Sequence, residues 1–208
     1  MLCLFYIGEI QMIKKFIPVI ICFSIAILFS VKSLGTSQST YINMYPNLPA
    51  PIADEKVLIT SAGQAAESSV LLSIAENLNL EADYRPRALG TDLYDYNSVV
   101  IMLGFSTNGL SQTGRSFPEE LSRMTELIAE AQATELPIIL VNISGRYRNN
   151  TRTWKLFEQI APSADYFIGL HNMKNEADYV SLIRKHSIPV TLVSKLEDLQ
   201  TPFNSVFR

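Results

Sequence analysis

The sequence predicts an α/β fold of three layers, a mostly parallel sheet of five or six strands with helices on both faces, Rossmann-like or flavodoxin-like. Three observations lead there. From Lys56 onward, apolar runs short enough for strands alternate with segments whose apolar residues recur at helical spacing. The run Ser98-Val99-Val100-Ile101-Met102-Leu103 is the most apolar of them, which places it centrally, covered on both faces. Small polar residues follow three of the runs, at the strand ends where open parallel sheets carry their ligands.

The elements follow in order. Val57-Leu58-Ile59-Thr60 is the first strand, and Val70, Leu71, Ile74, Ala75 and Leu78 then fall on one side of a helix. Ala82 to Arg85 is a short second strand near an edge, ended by Pro86. After the central strand, Ser116 with Glu119 three residues later spells a capping box, Pro118 is tolerated in the first turn, and Leu121, Met124, Ile128 and Ala131 supply a core face. Pro137 to Val141 is the fourth strand, and Trp154, Phe157 and Ile160 mark the inner side of the next helix. Tyr166-Phe167-Ile168 is the fifth strand, a helix carries Ala177, Val180 and Ile183, and Pro189 to Val193 is the sixth strand. Ser194 with Glu197 predicts a cap for a last short helix.

Ahead of this domain, residues 1–35 have the layout of a signal peptide or signal anchor. Lys14-Lys15 precedes a 16-residue apolar run from Phe16 to Val31. A spanning helix needs about 20 apolar residues, and Pro18 sits near the start of the run, which favours cleavage over an anchor formed by residues 13–31. Ser33 and Gly35 place that cleavage before Thr36. Cys22 follows Ile21, too large a residue for a lipidation motif, and Met12 offers a second start. Residues 36–55, with Pro46, Pro49 and Pro51 and no sustained apolar period, read as an extended linker in which Tyr41 and Tyr45 dock locally. Residues 56–208 form the single α/β domain. The expected location is therefore extracytoplasmic, with membrane contact only through the N-terminal segment.

Composition excludes several classes. Setting aside Lys14, Lys15 and Lys32 from 17 basic residues and Glu9 from 20 acidic ones leaves 14 against 19, a formal charge of −5. That sign disfavours nucleic acid, which is bound by neutralising its phosphates. Both cysteines, Cys3 and Cys22, lie in the N-terminal segment, so the domain offers no thiolate. With only His171 and His186 besides, neither a metal site nor a cofactor is expected.

Three loops are expected to converge on one crevice: Thr60-Ser61-Ala62-Gly63-Gln64, Gly104-Phe105-Ser106-Thr107-Asn108-Gly109, and Asn142-Ile143-Ser144-Gly145-Arg146. Gly63 and Gln64 bring helix-terminal N–H groups to where an anion would sit, although the loop matches neither a dinucleotide fingerprint nor a P-loop. Gly104-x-Ser106 superficially suggests a nucleophile elbow, but its second glycine is one position late, some ten residues of loop follow before the helix, and no acid is placed behind His171. Arg146, Arg148 and Arg152 lie within seven residues at this edge and suit bidentate grip of a carboxylate or phosphate. The expected ligand residues are thus Thr60, Ser61, Gly63, Gln64, Gly104, Ser106, Asn108, Gly109, Asn142, Ser144, Gly145, Arg146 and Arg148, with Arg146 nearest the fourth strand.

The segments Ile59-Thr60-Ser61-Ala62-Gly63-Gln64, Gly104-x-Ser106-x-x-Gly109-Leu110-x-x-x-Gly114, Ala161-Pro162-x-Ala164-Asp165-Tyr166 and Ile188-Pro189-x-Thr191-Leu192-Val193 resemble the small exported bacterial proteins grouped as domain of unknown function 6305, over about residues 56 to 207. The resemblance implies one α/β domain behind an export signal and no established activity. The chain departs from the family pattern at Asn108, where a lysine is usual, at Ser111, where a glycine is usual, and at Arg146-Tyr147-Arg148-Asn149, where a tighter Arg-Arg-Gly turn is expected. Three function classes follow. The first is a non-catalytic binder of a small anionic or polar solute, since the crevice holds hydrogen-bonding and cationic groups without an assembled acid–base pair. The second is an enzyme using the same crevice, and the third an interaction module for an envelope partner.

Overall fold

The computed structural model describes residues 47–145, 147–171 and 173–208. The expected signal or anchor segment, its cleavage point before Thr36, most of the linker with Tyr41 and Tyr45, and Arg146 lie outside the described residues.

Six strands form one sheet: β1 (Val57–Ala62), β2 (Ala82–Tyr84), β3 (Ser98–Leu103), β4 (Ile138–Asn142), β5 (Tyr166–Leu170) and β6 (Val190–Val193). Every neighbouring pair is parallel and the order is β2-β1-β3-β4-β5-β6, the flavodoxin-like order extended by a sixth strand. The helices are α1 (Ser68–Asn77), α2 (Thr107–Ser111), α3 (Phe117–Ala133), α4 (Thr151–Ile160), α5 (Glu176–Lys185) and α6 (Gln200–Asn204). Strand order dictates their faces. The chain steps outward from β1 to β2 and then runs the opposite way, so right-handed crossovers put the helices of the two legs on opposite faces.

Side chains alternate between the two cores with period 2. Leu58, Ala62, Val99, Ile101, Leu103, Ile138, Leu140 and Phe167 meet α3, α4 and α5 through Met124, Leu127, Phe157 and Ile183. Val57, Ile59, Val100, Met102, Ile139, Val141 and Ile168 meet α1 and the C-terminal turn through Leu71, Ile74, Phe203 and Val206. Residues 48–55, expected as linker, are held on the domain: Ile52 and Ala53 both donate their N–H to the Val206 carbonyl (3.0 and 3.1 Å), and Ser98 Oγ donates to the Asp54 carbonyl. Among the described residues no helix is long and apolar enough to cross a membrane.

Three expectations are corrected. The first strand continues to Ala62, so Thr60 and Ser61 lie inside the sheet rather than in a loop. The loop after β3 holds a one-turn helix, α2, because Ser106 caps it by accepting the Gly109 N–H at 3.1 Å. The last turn starts differently from the Ser194–Glu197 box: a 3₁₀ turn spans Leu196–Leu199 with Lys195 at its cap and no side-chain cap bond. The box at Ser116 forms in both directions, with Ser116 N–H donating to Glu119 Oε2 at 2.6 Å.

Candidate functional site

In this strand order the switch point lies between β1 and β3, and the crevice outside their carboxyl ends is where such folds carry ligands. Here that crevice is filled from within. Gly63 N–H donates to Glu120 Oε1 at 3.0 Å, and Gln64 Nε2 donates to the same oxygen at 3.1 Å and to the Pro86 carbonyl at 2.9 Å. Glu120 is fully buried and is gripped bidentately by Arg123, Nε to Oε2 at 2.8 Å and Nη2 to Oε1 at 2.6 Å. Arg123 also donates from Nη1 to the Ala88 carbonyl at 2.7 Å and from Nη2 to the Ser61 carbonyl at 2.5 Å. The N–H group that an anion would have met therefore meets the protein's own carboxylate.

Backbone geometry matches this closure. Gly63 has φ +93°, and a Cβ there would stand 2.6 Å from the Gly104 carbonyl. Gly109 approaches so closely that a Cβ would stand 2.1 Å from the Gln64 carbonyl. Gln64 itself is left-handed at φ 62° and bridges to Phe105, a conformation held by the two bonds of its side chain.

The loop from β4 to α4 is wired internally. Asn142 Nδ2 donates to Asn149 Oδ1 at 3.0 Å, Ser144 N–H donates to Asn142 Oδ1, and Ser144 Oγ donates to the Leu103 carbonyl. Asn149 Nδ2 donates to the Gly145 carbonyl and Tyr179 OH donates to Asn149 Oδ1 at 3.3 Å. Thr153 Oγ1 donates to the Arg148 carbonyl and accepts the Phe105 N–H, joining this loop to the end of β3.

Four described arginines line the β1, β3 and β4 side of this edge. Arg148 pairs with Glu67 at 2.5 Å, reaching from the β4 loop to the start of α1. The Arg152 guanidinium lies over the Phe105 ring at 4.7 Å and the Phe117 ring at 5.5 Å, the two rings meeting edge to face. Arg87 reaches the Gln112 carbonyl at 3.4 Å. Arg115 sits between α2 and α3 with its Nη1 buried and without a partner. The acids beside these groups have partners: Glu67 Oε1 with Arg148, Glu119 with Ser116, and Glu120 with Arg123. Among the described residues, the other buried side-chain atoms without a partner in the chain are Thr60 Oγ1, Ser61 Oγ and Glu67 Oε2. All four lie on the C-terminal half of β1 or on the loops of this edge.

The parallel order brings the expected loops after β1, β3 and β4 to one edge on adjacent strands. Within them Thr60, Ser61, Gly63, Gln64, Gly104, Asn142 and Ser144 are buried; Ser106, Gly109, Gly145 and Arg148 are half-buried, and Asn108 is exposed. The acid that sequence reading did not place behind His171 is Glu176, whose Oε2 lies 3.2 Å from Nδ1. β4 still separates β3 from β5, about 10 Å at strand spacing, and the Ser106 hydroxyl serves as a helix cap. Sequence reasoning missed Glu120, Arg123, Glu67 and Arg115. Glu120 carried a signal, since it lies on the stripe of Met124, Leu127, Ile128 and Ala131, where a charged residue must find a partner. Among the described residues no three His, Cys, Asp or Glu groups are placed to hold a metal ion.

A family model described as Domain of unknown function (DUF6305) matches residues 54–207. No curated protein and no solved structure matches the chain.

Proposed function

Given that the chain belongs to the domain of unknown function 6305 family, a premise that carries no activity with it, we propose that it is a non-catalytic binder of a small anionic solute at the C-terminal edge of its sheet. The observation that carries this reading is the rim itself. Arg87, Arg115, Arg148 and Arg152 lie on the loops of this edge, where Arg148 pairs with one oxygen of Glu67 and Ser116 holds Glu119, and Arg115 keeps a buried guanidinium nitrogen without an acceptor. Buried donors in native structures are paired, and a carboxylate or phosphate is the group that a guanidinium fork fits best. Because Glu120 fills the switch point, the solute sits above it, among Arg115, Arg148 and Asn108, rather than against Gly63 and Gln64. In the same proposal the domain is exported or held at the membrane by residues 13–31.

Calorimetric titration with inorganic phosphate and with a dicarboxylate, at two salt concentrations, tests this. Arg115→Ala and Arg148→Ala are expected to weaken binding about ten- to a hundredfold, the effect of losing a partly desolvated charge-assisted bond worth about 1.5–3 kcal/mol. Arg184→Ala, at the far end of α5, is expected to change nothing. Equal small losses for all three variants, fading with salt, would leave only diffuse surface attraction. A second reading, a docking module for an envelope partner, is favoured by Tyr147, which is 99% exposed beside Arg148. Retention of phosphate binding in Tyr147→Ala separates the two readings.

A further inference from the structure

A different feature of this end of the domain adjoins the arginine rim but is lined by none of its arginines. A cleft of about 460 Å³ opens between α4 and α5 and is lined by Asn149, Asn150, Trp154, Lys174, Asp178 and Tyr179, among others. Its inner side is fixed. Tyr179 and Asn149 are 1% and 6% exposed and joined by the Tyr179 OH to Asn149 Oδ1 bond of 3.3 Å. Burial holds the Tyr179 phenol above its ordinary pKa, so it remains a neutral hydroxyl. The half-buried Trp154 ring stands edge to face on Tyr179 at 5.1 Å and gives the cleft a rigid apolar wall.

The charged side chains of the lining are one cation, Lys174, and one anion, Asp178. Both are exposed, neither has an ion-pair partner among the described residues, and they are not paired with each other. A ligand with a single charge would be attracted by one of them and repelled by the other. A ligand that carries an ammonium and a carboxylate gains from both, and an apolar group beside them lies against Trp154. A volume of this size falls in the range of small-molecule sites, which combine an apolar or aromatic wall with a few polar groups that orient the ligand. We propose that this cleft binds small zwitterions, free α-amino acids with an apolar side chain, at a site separate from the anion rim.

Trp154 is the only tryptophan in the sequence, so its emission reports the cleft directly. The experiment titrates the full chain with leucine, with isoamylamine, which lacks the carboxylate, and with N-acetylleucine, which lacks the ammonium. Trp154 fluorescence and calorimetry are read in parallel. Leucine is expected to give saturable binding, with each analogue about fivefold weaker, the loss that one partly exposed charge pair supports. Lys174→Met is expected to lose the preference for leucine over isoamylamine, and Asp178→Asn the preference over N-acetylleucine. Arg115→Ala is expected to leave the leucine titration unchanged, so the two sites succeed or fail separately. No saturable leucine binding by either measurement, or analogues that bind as well as leucine, would overturn the proposal.

Discussion

Glu120 is the residue on which the upper end of the sheet depends. Its carboxylate takes the Gly63 N–H, the Gln64 amide and two bonds from Arg123 without contact with solvent. Removing one partner of such a pair leaves the other buried and uncompensated. Glu120→Ala is therefore expected to destabilise the domain by about 3–5 kcal/mol, read as a lower urea midpoint at unchanged slope. Replacing both partners, Glu120→Leu with Arg123→Met, is expected to cost clearly less, because no unpaired charge remains. Gly63 is the second sensitive position. Its φ of +93° is open to glycine, and a Cβ would meet the Gly104 carbonyl at 2.6 Å. Gly63→Ala is expected to lose about 1–3 kcal/mol or more in the same assay.

Among the elements, α3 has the start that sequence most clearly announced, and it carries a pH signature. The Ser116 side chain first, its backbone N–H second, and the Arg115 charge as a smaller contribution hold the Glu119 carboxyl below its ordinary value of 4.5. A carboxyl whose folded pKa is depressed adds stability that is present above the unfolded pKa and lost as pH falls through the folded one. The difference in unfolding free energy between wild type and Glu119→Ala is thus expected to be constant above about pH 5 and to shrink below it. A difference independent of pH down to acid would show that the box acts only through its neutral hydrogen bonds. Farther along the same helix, the core stripe was legible, but its reading passed over Glu120 and took Leu121, which is half-buried. Apolar periodicity marks which face is inward and says nothing about a charged residue on that face until its partner is in place.

Across the whole molecule, stability is expected to be graded along the sheet. β1 and β3 share six registered residue pairs and are buried throughout, whereas β2 has three residues, none of them fully buried, and sits at an edge. Hydrogen exchange should therefore be slowest in β1, β3 and β4 and fastest in β2, followed by mass spectrometry of overlapping peptides. Uniform protection in all six strands would mean that the sheet opens only as one unit. Acidic residues gather at one end of the strands. Asp54, Glu55, Glu81, Asp95, Glu135 and Asp165 lie on the segments that lead into strands, whereas the segments that leave them carry both signs, Arg85, Arg87, Arg115 and Arg148 beside Glu67, Glu119, Glu176 and Asp178. Only the parallel topology collects those scattered acids at a single edge. The sequence by itself determined the layers and the location of the candidate loops, because periods of 2 and 3.6 and the small polar residues after Ile59, Leu103 and Val141 are local features. Tertiary structure alone decided the strand order and the filling of the switch point, as well as the pairing of Glu67 with Arg148. Those contacts join residues 57 and 81 positions apart, and a pairing at such separation is chosen by the packing of the complete sheet rather than by any segment within it.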